Sequence, residues 1–141
     1  MEKRFHEAGV KASLIWSINE PAGVGLLDIL PASASKLHAI QALMQMLGFD
    51  YSNTIFSGDS GNDIEVLASP VPAVMVANSS PDVQELATLL ASENGCSDKL
   101  YIAQGSFSGM NGNYSAGILE GIVHYFPATR AWIAPEKSES L

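Results

Sequence analysis

The sequence is short of cysteine, of positive charge and of long apolar runs. Cys96 stands alone among 141 residues, which excludes an intrachain disulfide and suits a reducing, cytoplasmic compartment. A thiol in a loop or half-buried site is its expected state. Only 7 Lys and Arg stand against 15 Asp and Glu, a formal charge of -8. Nucleic acid and anionic membrane surfaces are thereby excluded as partners, since both need clustered basic side chains; a small neutral or metal-complexed ligand fits better. No apolar run is long enough to cross a bilayer, and residues 1–7 are not followed by a signal-type apolar stretch, so a soluble protein is expected. No Gly-Lys-Ser/Thr sequence occurs, which removes a nucleotide P-loop. Nor is any aspartate followed two positions later by another. Hydrophobic residues make up 47% of the chain, enough for one ordinary core and too many for a disordered segment.

The apolar pattern alternates between two periods. Ala12-Ser13-Leu14-Ile15-Trp16-Ser17-Ile18 and Val24-Gly25-Leu26-Leu27-Asp28-Ile29-Leu30 read as strands joined through Pro21 and Gly23 in a hairpin, the second stopped by Pro31. Leu37, Ile40, Leu43, Met44 and Leu47 recur at helical spacing, and Gly48 ends that helix. A strand is expected over 53–57, a helix over 64–68 closed by Pro70, and a strand over 73–77. Ser80-Pro81-Asp82 is a helix start, with a capping hydroxyl, proline at the first position and an acid in the first turn. Val83, Leu86, Ala87 and Leu90 form that helix's expected buried stripe. A strand over 100–103 and a helix around 118–126 complete the alternation, while 105–113 reads as a mobile linker, 136–141 as a frayed tail and Trp132 as a packing residue. Strands alternating with helices imply an α/β fold with a parallel sheet.

The chemistry concentrates in Gly58-Asp59-Ser60-Gly61-Asn62-Asp63. In an open parallel sheet the ligand site lies beyond the carboxyl ends of the strands, where this loop falls. Magnesium favours a few carboxylates with phosphate and water, so Asp59 at the strand tip is a candidate ligand and Asp63, one helical turn on, can face the same point directly or through water. Asn62 can donate its amide to a phosphate oxygen. A loop of this composition can equally well do no more than cap the helix beginning at Ile64. An EF-hand is disfavoured, because Ile64 occupies the position that requires glycine. Lys36 argues for the site, since a lysine opposes the dipole at a helix N-terminus and is poorly chosen for stability alone.

Asp28-Ile29-Leu30-Pro31 followed by Lys36, then Leu47-Gly48, the acidic loop, and Val74-Met75-Val76-Ala77-Asn78-Ser79 resemble the second half of a haloacid dehalogenase (HAD) superfamily phosphatase. The sucrose-phosphate phosphatase branch is nearest, because Ala116-Gly117-Ile118-Leu119-Glu120-Gly121 resembles its C-terminal helix. The resemblance covers roughly residues 7–127 and implies a partial HAD-like, Rossmann-like parallel sheet with flanking helices. Residues 1–31 would be a cap-domain remnant (helix tail plus β-hairpin), 32–127 the C-terminal half of the core, and 128–141 a tail.

The resemblance also implies roles. Lys36 matches the family lysine that stabilises nucleophile and phosphoryl group, Asp59 and Asp63 match the Mg2+ ligands, and Asn62, with Ser60 beside it, matches the phosphate contacts. The implied reaction is hydrolysis of a sugar phosphate such as sucrose 6-phosphate. In such enzymes one aspartate attacks phosphorus and a second, two residues later, acts as acid and base; that pair lies in the family's first half, and no such pair exists here. Leu37 also departs from the family's usual glycine after the lysine. An incomplete sheet would expose an apolar edge, so a homodimer or a complementing N-terminal half is an expected partner. The alternative is a truncated, non-catalytic module that retains phosphate and Mg2+ binding.

Overall fold

The computed structural model describes residues 2–19, 23–31 and 33–133. The chain divides into two compact units, the first ending at Gly48 and the second beginning at Phe49. The first contains α1 (Glu2–Glu7), β1 (Ala12–Asn19), β2 (Val24–Pro31) and α2 (Lys36–Leu47). β1 and β2 pair antiparallel from Ala12 opposite Pro31 to Asn19 opposite Val24, as the hairpin reading requires. The turn residues 20–22 lie outside the described residues, and so does the tail 136–141. Ser35 caps α2 by accepting a 3.1 Å hydrogen bond from His38 N–H. Gly48, at φ 74°, ends the helix and returns its N–H to Met44 O. Of the α2 stripe only Met44 is buried; Leu43 and Leu47 are exposed.

The second unit holds β3 (Phe56–Gly58), α3 (Ile64–Leu67), β4 (Ala73–Met75), α4 (Pro81–Glu93), β5 (Leu100–Ile102), α5 (Tyr114–Tyr125) and α6 (Arg130–Ile133). Its sheet is parallel in the order β3-β4-β5. Central β4 is covered on both faces, which is why Val71, Ala73, Val74 and Met75 are fully buried and why this segment reads as an unbroken apolar run. Burying each of the larger side chains contributes about 1.5–3 kcal/mol. Leu67, Ala73, Met75 and Ala87 form the core cluster, with Phe56, Ile64, Val83, Leu100 and Ile102 packed against it.

The strands are shorter than the apolar runs suggest. Asn53 is held in a turn by its Oδ1, which accepts from Asp50 N–H at 2.8 Å, so β3 begins only at Phe56. Beyond Met75 the chain still donates from Val76 N–H to Gly58 O, but Ala77 N–H turns instead to Gly112 O at 2.9 Å. The Ser80 hydroxyl makes no capping bond; Ser80 O takes the N–H groups of Val83 and Gln84. In α4, Leu86 is 45% exposed, and Ala91 takes its expected place beside the buried Ala87. Residues 130–133, expected in a tail, form α6, and Trp132, expected to pack, is 79% exposed.

α5 lies against the sheet because it carries glycine where the approach is closest. A Cβ at Gly121 would overlap Val74 Cγ2, and one at Gly117 would overlap Gly112 O. This four-residue spacing is the helical repeat, so both gaps open on the same face. The Tyr125 hydroxyl fixes the far end of α5, donating toward Lys99 O at 2.7 Å and Ala73 O at 3.3 Å. Cys96 is buried and free.

Candidate functional site

The acidic loop leaves the carboxyl end of β3 and enters a 3-10 turn, Gly61–Asp63, that runs directly into α3. Its two aspartates differ in environment. Asp63 is buried and Asp59 is exposed. The Asp63 Oδ2 accepts from Asp59 N–H at 3.2 Å, Ser60 N–H at 3.3 Å and the Ser60 hydroxyl at 3.1 Å. Asp63 therefore reaches back to satisfy the N–H groups ahead of the helix, as the acid of a capping box does. Capping is real here for the 3-10 turn Gly61–Asp63; α3, the helix beginning at Ile64 for which it was expected, has no side-chain cap bond. Gly58 permits the capping of the turn, since a Cβ there would fall 2.7 Å from Asp63 Cβ.

Asp59 and Asp63 line one open depression of about 290 Å3 together with Ser57, Gly58, Val76, Tyr114, Ser115 and Ile118. Ser60 and Asn62 share the loop, with the Ser60 hydroxyl donating to Asn62 Oδ1 at 2.6 Å, but they do not line that depression. Lys36 belongs to the first unit, as the opening residue of α2. Among the described residues no group of three or more His, Cys, Asp and Glu could hold a metal ion. That leaves a donor set of two carboxylates, which suits a cation that takes its remaining ligands from phosphate and water.

The far wall of the depression was not legible as a site. Tyr114, Ser115 and Ile118 come from the start of α5, which is positioned by a buried carboxylate. Glu120 is 3% exposed. It accepts from Gln104 N–H at 2.8 Å, Gly105 N–H at 2.9 Å, Ser106 N–H at 3.2 Å, the Ser106 hydroxyl at 3.0 Å and the Tyr101 hydroxyl at 2.7 Å. Burial alone would raise the Glu120 carboxyl, but these donors outweigh it and hold it below the ordinary glutamate value. Tyr101 is pushed up by burial and by its bond to Glu120. The segment expected to be a mobile linker is thus tied down at its start, and Gly112 O anchors its end through Ala77 N–H. An acid inside an otherwise apolar helical face was the available signal, since an unpaired buried carboxylate is too costly to persist. Among the described residues no helix is long and apolar enough to cross a membrane.

The model of the sucrose-6F-phosphate phosphohydrolase family matches residues 1–126. A HAD-like hydrolase of Nitrosococcus oceani is 52% identical over 141 residues, 99% of this chain and 38% of that protein. Sucrose-phosphatase 1 of Nicotiana tabacum is 35% identical over 129 residues, 89% of this chain and 27% of the relative. Among solved structures, the sucrose-phosphatase of Synechocystis sp. PCC6803 in complex with sucrose and phosphate aligns with a TM-score of 0.60 at 30% identity, over 87% of this chain and 43% of that one. The chain spans less than half the length of each of these proteins. With its parallel sheet, flanking helices and acidic loop at a strand's carboxyl end, it belongs to the sucrose-6F-phosphate phosphohydrolase family.

Proposed function

We propose that the chain supplies the cation- and phosphate-holding portion of a Mg2+-dependent phosphoric monoester hydrolase acting on a sugar phosphate such as sucrose 6-phosphate. The observation that carries this reading is the exposed Asp59 beside the buried Asp63 in one depression at the carboxyl end of a parallel strand. Asp59 would hold Mg2+ directly. Asp63, whose Oδ2 is committed to loop N–H groups, would orient the loop and reach the ion through water. Ser60 and Asn62 would contact phosphate oxygens, and Lys36 would offset charge on the phosphoryl group and its attacking carboxylate. The bound cation would supply charge neutralisation at the phosphoryl oxygens.

The attacking carboxylate would come from elsewhere, because the 141 residues hold no Asp-x-Asp pair. β3 is the first strand of its sheet and has a neighbour only on the β4 side among the described residues. A complementing N-terminal half, or a second copy of the chain, would add there. One other reading is a module that binds Mg2+ and phosphate without turnover. Phosphate release from sucrose 6-phosphate, measured with the chain alone and after adding a polypeptide that carries the Asp-x-Asp pair, separates them. Turnover only in the mixture supports the hydrolase, whereas Mg2+-dependent phosphate binding with no turnover in either case supports the module.

A further inference from the structure

The depression has two unlike walls. One carries the carboxylates of Asp59 and Asp63, and the other is the start of α5, where Tyr114 and Ile118 lie one turn apart with Ser115 between them; Val76, just past β4, also lines the depression. Tyr114 is 69% exposed and Ile118 37%. A large aromatic side chain left this open contributes little to packing.

Its backbone is also strained. Tyr114 has φ 47°, a left-handed conformation that is an outlier for a bulky residue. Such strain persists only where the surroundings over-determine it, and it concentrates at functional sites. Here Tyr114 N–H donates to Asn78 Oδ1 at 2.7 Å. On either side, Gly112 O accepts from Ala77 N–H, and Asn113 O accepts from Ala116 N–H at 3.0 Å. Asn78 and Ala77 follow β4, so the end of that strand holds the start of α5 in place. Folding thus stores strain at Tyr114, and the result is a tyrosine set at the rim of the acidic depression.

We propose that Tyr114 and Ile118 form the wall on which the alcohol portion of the phosphate ester lies, so that this wall selects the ester while the acidic loop holds its phosphate. This rests on the proposed phosphatase reading and deepens it. The matching ligand is an ester whose alcohol presents a flat C–H face, as a pyranose ring does, since an aromatic face offers apolar area with a polar rim. Depressions lined mainly by apolar groups with a few polar ones bind such mixed ligands.

The test is calorimetric titration of the full 141-residue chain with Mg2+ and inorganic phosphate, and with Mg2+ and sucrose 6-phosphate. Wild type is expected to prefer the sugar phosphate by about tenfold, the usual scale of one stacking contact. Tyr114→Gly should lose that preference while keeping its affinity for inorganic phosphate. Its thermal midpoint should be equal or higher, because glycine accepts the left-handed backbone. Tyr114→Ala should lose the preference too, but with no gain in midpoint. A Tyr114→Gly chain that still prefers sucrose 6-phosphate overturns the proposal. So does a wild type that binds both ligands equally. A wild type that binds neither overturns this wall, whereas the phosphatase reading falls only if the mixture with the Asp-x-Asp polypeptide also releases no phosphate.

Discussion

The backbone of Gly58 and the side chain of Asp63 lie closer together than any other residue at position 58 would allow. A Cβ added there would meet Asp63 Cβ at 2.7 Å and its Cγ and Oδ2 at 2.8 Å. The φ of Gly58 is not positive, so the constraint is space rather than conformation. Gly58→Ala is expected to cost about 1–3 kcal/mol, the usual penalty for overpacking, by driving Asp63 away from the N–H groups of Asp59 and Ser60. A lowered urea midpoint with an unchanged slope, and faster exchange of those two amides, would register it. In an Asp63→Gly background the same substitution should cost much less, because the colliding atoms are gone; equal costs in both backgrounds would refute the steric account.

The two aspartates should separate by experiment as they do by burial. Asp59 is exposed at the strand tip, so Asp59→Asn is expected to abolish Mg2+ binding with a change in stability within about 0.5 kcal/mol, typical of surface sites. Asp63 is buried and accepts two backbone N–H bonds. Asp63→Ala should therefore cost about 1–3 kcal/mol for the donors left without an acceptor. Calorimetric Mg2+ titration paired with thermal melts checks both. A large stability loss in Asp59→Asn would mean that its carboxylate serves the loop rather than a cation.

Glu120 should make the α5 unit sensitive to acid. Its folded carboxyl lies below the ordinary value of 4.5, so its contribution is fully present above about pH 4.5 and is lost as pH falls through the folded value. Glu120→Gln keeps the shape but, in either amide orientation, places an N–H2 against a backbone N–H that can only donate. The expected cost near neutrality is about 1.5–3 kcal/mol, the range for hydrogen bonds to a charged group. The variant should also lose this part of the stability decline below pH 4.5. A stability profile parallel to that of wild type over that range would count against Glu120 as its source.

Much of this architecture is legible from residue order, and the failures share a cause. The hairpin, the Gly48 stop and the α/β alternation depend on local chemistry: alternating side chains, a glycine at φ 74°, a proline opening α4. Strand ends, by contrast, depend on distant partners. β4 leaves its ladder at Ala77 because Gly112 is there to receive its N–H, and nothing near Ala77 announces that. The acidic loop is visible because both its acids lie within six residues. Its opposite wall is not, because Tyr114 comes to Asp59 only through α5 packing at Gly117 and Gly121. The segment 104–106 looks like a linker for the same reason: its partner, Glu120, is fourteen or more positions away.

Tyr125 supplies an alkaline counterpart to Glu120. Its hydroxyl is pushed up to about 12, chiefly by burial and further by the negative charge of Asp98. For a raised acid the folded state favours the neutral form. Its contribution is therefore complete below the ordinary tyrosine value of 10.0 and is lost as pH rises toward 12. Replacing Tyr125 with Phe removes the donor to Lys99 O and Ala73 O while keeping the ring, so a neutral-pH cost of about 1 kcal/mol is expected. The variant should also lose this residue's share of the decline between pH 10 and 12. Denaturant midpoints taken across that range test the point, and the other tyrosines act as an internal control: a decline equally steep in Tyr125→Phe would assign it to them, with Tyr101, raised by burial and Glu120, next to be examined.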